Sequence, residues 1–92
     1  MKKTYHSFIK SHDLVNRIYN MIFYLNIIKN EDSEVMVKKR LKKNLSSSEY
    51  VESICKCFEN KFYKNYKNIE LRCNLKDLIF DLNYLKQYLD ES

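Results

Sequence analysis

The sequence predicts an all-α protein, a single domain over residues 1–92 folded as an antiparallel four-helix bundle, with or without a short extra helix at the N-terminus. Three observations carry this. The chain has neither Gly nor Pro, residues on which hairpins, bulges and phosphate loops depend and without which helices do well. Two long stretches place apolar residues at alternating spacings of three and four, the period of one helix face. Short polar breaks of Asn, Ser, Asp and Glu separate the periodic stretches, and Asn and Ser tolerate turn conformations better than most residues. A chain of this length buries about 60–65% of the surface its unfolded form exposes.

The organising stretch is Ser11–Asn30. Leu14, Ile18, Met21, Leu25 and Ile28 form its seam, Val15, Tyr19 and Ile22 widen it, and Phe23 and Ile27 project from the opposite side. Ser11 is the expected N-cap and Asp13 places negative charge in the first turn. Ahead of it, Tyr5, Phe8 and Ile9 suffice for a short helix or for an extension of the same one; the pattern leaves both open.

Asp32 or Ser33 caps the next helix. Val37, Leu41 and Leu45 give it a thin apolar edge of about 80°, and Lys38, Lys39, Arg40, Lys42 and Lys43 make the rest a cationic arc. Ser46 and Glu49 stand at capping-box spacing before a third helix, whose buried line is Val51, Ile54, Cys55, Phe58 and Phe62, with Tyr66 extending it. Residues 69–72 read as a few extended residues. Asn74 then caps a last helix with the seam Leu75, Leu78, Leu82, Leu85 and Leu89, and with Tyr84 and Tyr88 facing outward.

The net charge is +5, which attracts an anionic partner: nucleic acid, the inner leaflet of a membrane, or an acidic protein face. The charge is uneven. Residues 75–92 carry a net of −2 and the residues before them +7. No apolar run approaches a membrane span, and Lys2 and Lys3 are followed by no long apolar segment of a signal peptide; the expected location is the cytoplasm, with peripheral association at the inner membrane face.

Little in the sequence points to chemistry. Cys55, Cys57 and Cys73 are an odd number, and on a helix the first two point about 160° apart, so reduced structural thiols are expected rather than a metal or redox site. His6 and His12 have no ligand or carboxylate at useful spacing. Asp77 and Asp81 share a helix face without a neighbour to shift them. No nucleophile–base set or phosphate cradle is present. The expectation is therefore no enzyme, no cofactor and no metal.

The basic helix, the break and the helix from Glu49 have the outline of a helix-turn-helix. Glu49, Glu52 and Glu59 oppose phosphate on the second helix, and no Arg stands there to read guanine. Binding of DNA or RNA backbone by the basic helix alone stays open as a weaker alternative.

As a whole the layout resembles the small immunity proteins against pediocin-like (class IIa) bacteriocins, the enterocin A immunity family. The stretches that carry the resemblance are LVNRIYNMI at 14–22, EDSEVMVKKRLKKNL at 31–45, YVESICKCFENKFYKNY at 50–66 and LKDLIFDLNYL at 75–85. The resemblance implies a cytoplasmic four-helix bundle that acts without catalysis on the membrane-embedded mannose phosphotransferase receptor with its bound bacteriocin. It also implies that the C-terminal half selects the bacteriocin. On this sequence the anionic-partner surface falls to Lys38, Lys39, Arg40, Lys42 and Lys43, and the specificity surface to Tyr84, Gln87 and Tyr88. The other reading is a phage- or mobile-element inhibitor of the anti-CRISPR or anti-restriction type, equally small, helical and free of chemistry.

Overall fold

A computed structural model describes residues 13–28 and 33–91. The protein is all-α: the described residues form four helices, α1 (Asp13–Tyr24), α2 (Glu34–Asn44), α3 (Ser48–Lys64) and α4 (Ile69–Glu91), and contain no strand. Ser11 and the N-terminal segment with Tyr5, Phe8 and Ile9 lie outside the described residues. The chain divides into two compact units, Met1–Lys43 and Asn44–Ser92.

In the first unit, α1 buries Leu14, Val15, Ile18, Tyr19 and Met21, as its period requires. It is shorter than the sequence pattern predicts, because the helix stops at Tyr24 and not near Asn30. Asn26 takes a left-handed φ of 58°. The Asn26 N–H donates to the Phe23 carbonyl at 3.0 Å and the Ile27 N–H to the Ile22 carbonyl at 2.9 Å. This pair of bonds is a Schellman ending, which satisfies carbonyls that the last turn would leave orphaned. Gly usually holds the left-handed position; in a chain without Gly, Asn is the residue best able to stand in. The early stop leaves Phe23 and Ile27 exposed and Leu25 and Ile28 half-buried.

Helix α2 starts where Ser33 places its hydroxyl 3.5 Å from the Met36 N–H and its carbonyl 2.9 Å from the Val37 N–H. Glu34 in its first turn and Lys42 and Lys43 in its last suit the helix dipole. Val37 and Leu41 are buried, and so is Leu45 just past its end.

The second unit is an antiparallel helical hairpin. Ser48 at the start of α3 hydrogen-bonds Asp90 near the end of α4, and Cys55 faces Ile79 and Asn83. The apolar faces meet as Val51, Cys55 and Phe58 from α3 and Leu71, Leu75, Leu78, Leu82 and Leu85 from α4, all buried. Ile54, Phe62 and Leu89 are only half-buried and Tyr66 is exposed.

Two helix starts differ from those the sequence suggests. Ser47, not Ser46, caps α3, accepting from the Tyr50 N–H at 3.4 Å; Glu49 then falls one position short of the place a capping box needs. Residues 69–72 are helical rather than extended. Asn68, not Asn74, caps α4, with its side-chain oxygen 3.1 Å from the Leu71 N–H and its carbonyl 2.9 Å from the Arg72 N–H. Arg72 also lies over the Tyr66 ring at 4.7 Å, a cation–π contact across the connection. The extra turn brings Leu71 into the seam, and that burial outweighs the mixed local propensity of Ile-Glu-Leu-Arg.

Helix α4 ends on Asp90 and Glu91, the wrong sign for its own dipole. The antiparallel arrangement offsets this by setting the Asp90 carboxylate at the first turn of α3. The Ser48 hydroxyl and then Lys86, 3.1 Å away, hold the Asp90 carboxyl below its ordinary value, and the Asp90 bond raises Lys86.

Candidate functional site

The cationic arc is built by one helical turn and a half of α2. Lys39, Arg40, Lys42 and Lys43 are exposed on the side away from Val37 and Leu41. Lys38 departs from the group. Its ammonium sits 2.7 Å from Glu34 one turn back and 5.1 Å over the Tyr19 ring of α1, with its side chain only 30% exposed. Lys38 therefore fastens α2 to α1 through an ion pair and a cation–π contact, and the other four cations of the arc are exposed to solvent.

The residues assigned to specificity lie on α4. Tyr84 is 46% exposed and Gln87 is exposed, while Tyr88 is half-buried. The same side of α4 carries a large apolar residue that the sequence reading passed over, Phe80, 69% exposed. Its signal was available: Phe80 is off the leucine seam by nearly half a turn and shares the face of Tyr84. Val35 and Met36 on α2 were missed likewise. They fall off the line of Val37 and Leu41, and they are 72% and 57% exposed beside the cations.

The cysteines are free. Cys55 is buried, its sulfur 3.5 Å from the Asn83 side-chain oxygen and 3.7 Å from the Ile79 carbonyl. Burial, followed by the Glu59 carboxylate, pushes the Cys55 thiol up to about 11, the behaviour of an inert core thiol. Cys57 is half-buried and Cys73 exposed. Native-state labelling with a thiol reagent is thus expected to modify Cys73 first, Cys57 more slowly and Cys55 only on unfolding. A Cys55 that reacts as fast as Cys73 in the folded protein contradicts this packing. Among the described residues no three His, Cys, Asp or Glu side chains converge as metal ligands; His6 and His12 lie outside them. Of the paired carboxylates, Asp77 is exposed and Asp81 half-buried. No helix among the described residues is long and apolar enough to cross a membrane.

What this surface can do chemically is bind: four exposed cations on one short helix face, with two apolar side chains among them, match a surface of phosphate or carboxylate groups. Compared with protein-family models, with curated proteins and with solved structures, the chain matches none.

Proposed function

We propose that the protein is a non-enzymatic immunity protein, which protects the cell that makes it from a pediocin-like pore-forming peptide by acting at the inner face of the membrane. The observation that carries this reading is the outward cationic face of α2, Lys39, Arg40, Lys42 and Lys43, on an all-α chain. Each cation near an anionic leaflet contributes about 1 kcal/mol of attraction, enough in sum to concentrate the protein where such a peptide acts. The target that the family resemblance implies is the mannose phosphotransferase receptor with its bacteriocin. Recognition of that complex falls to α4, where Tyr84 and Gln87 stand exposed and an aromatic side chain can anchor at low entropic cost.

The test is expression in a sensitive low-GC Gram-positive host challenged with a panel of class IIa peptides. Survival against at least one peptide is expected. Killing equal to an empty-vector control across the whole panel removes the reading. Retardation of duplex DNA by the purified protein, with affinity falling steeply as salt rises, moves the function to nucleic-acid binding.

A further inference from the structure

Helix α2 carries more than charge on its outer face. At 100° per residue, Lys42, Val35, Lys39, Lys43, Met36 and Arg40 follow one another around an arc of about 160°, with Lys39 opposite the buried line of Val37 and Leu41. Val35 and Met36 occupy the N-terminal end of this face and are among the most exposed large apolar residues of the protein, at 72% and 57%. They sit about one to two turns from the cations, a span of about 12 Å from Val35 to Lys43. The chain reaches this end of α2 from the terminus of α1, where Phe23, Tyr24 and Ile27 are also exposed.

A solvated cationic helix gains nothing from two bare aliphatic side chains at one end. A nucleic-acid backbone gives them no apolar partner either. An anionic bilayer surface accommodates both halves: phosphates for the cations, and the boundary of headgroup and acyl chain for the apolar pair. Long Lys and Arg stems let the charged heads stay at phosphate level while the helix lies flat. Of the acidic residues Glu31, Asp32 and Glu34 near this end, Glu34 is already paired with Lys38 at 2.7 Å, so it opposes the approach little. Over residues 29–43 six cations face three carboxylates.

We propose that α2 seats on an anionic lipid surface as a shallow interfacial helix, with Val35 and Met36 inserted below the headgroups and Lys39, Arg40, Lys42 and Lys43 on the lipid phosphates. This deepens the immunity reading by specifying how the membrane is held, and it rests on that reading only for its biological setting.

The protein has no Trp, so Met36→Trp gives a single reporter at the inserting end, and Phe80→Trp a control on α4. With vesicles containing phosphatidylglycerol, Trp at 36 is expected to shift to the blue and to be quenched by lipids brominated near the headgroup, while Trp at 80 does neither. Zwitterionic vesicles are expected to leave both unchanged. The double change Val35→Ser with Met36→Ser is expected to weaken vesicle binding about tenfold, equivalent to about 1.4 kcal/mol, with the helical circular dichroism intact because both side chains are exposed. A vesicle-bound protein whose Trp at 36 stays in water overturns insertion while leaving electrostatic attachment, and the immunity reading, in place. Equal shifts at 36 and 80, or a response to duplex DNA and none to vesicles, also overturn it. Failure of the wild type to protect any host removes the immunity reading alone, since insertion is read on vesicles without bacteriocin.

Discussion

Phe58→Ala is expected to destabilise the protein by about 3–5 kcal/mol, the cost of deleting a buried aromatic side chain and leaving part of its cavity unfilled. Among the described residues Phe58 is the largest fully buried side chain, at 0% exposure, and it comes from α3 against the leucine seam of α4. Folded proteins have only about 0.05–0.15 kcal/mol of stability per residue, so this one change removes a large share of the total. Leu82→Ala and Leu78→Ala, from the facing helix, are expected to cost about 2–5 kcal/mol each, as is Leu14→Ala in α1. Leu25→Ala supplies the contrast: Leu25 lies past the end of α1 and is half-buried, and its cost is expected well below theirs. Urea titrations followed by circular dichroism decide the matter. A loss under about 0.5 kcal/mol for Phe58→Ala, the scale of a surface substitution, means that α3 and α4 do not pack through these faces.

The leucine seam was legible because its period is set by the helix itself and no polar residue interrupts it between Leu75 and Leu85. Its first turn was not. Asn74 followed by Asp77 imitates a helix start, and the Ile-Glu-Leu-Arg run ahead of it has no strong local preference. The burial of Leu71 and the cap from Asn68 decide that start, and the first of them is a tertiary effect. A similar gap explains α1. Asn26 sits at a position where a helix tolerates a polar residue, so its left-handed turn leaves no mark on the pattern; the one hint was that Phe23 and Ile27 lie off the seam. In the surface on α2, the run of cations was plain to see, but the Glu34–Lys38 spacing, one at which ion pairs form, was not used to take Lys38 out of the arc. The Tyr19 ring, nineteen positions before Lys38, belongs to tertiary packing, which periodicity within one helix cannot supply.

Changing Lys39, Arg40, Lys42 and Lys43 together to Gln is expected to weaken binding to phosphatidylglycerol vesicles roughly a thousandfold, since about 1 kcal/mol per cation sums to about 4 kcal/mol and each 1.4 kcal/mol is tenfold. The residual affinity is expected to lose its dependence on salt, because the screened charges are the ones removed. Stability is expected to fall by only about 1–2 kcal/mol, the helix-dipole contribution of Lys42 and Lys43 in the last turn, because all four are exposed and Gln keeps nearly the same helix propensity. Lys38→Gln is the internal control. Its ammonium is occupied by Glu34 and the Tyr19 ring, so its loss is expected to show as a small drop in melting temperature, with vesicle binding weakened far less than by the quadruple change, through the carboxylate of Glu34 that it leaves unpaired. On the proposed immunity function, in which attachment precedes recognition, the quadruple variant is expected to lower resistance to every peptide the parent resists. Tyr84→Ala acts at the later step: it is expected to change protection unevenly across the panel while vesicle binding persists. A quadruple variant that binds vesicles and protects as well as the parent shows that the charge of α2 serves neither step.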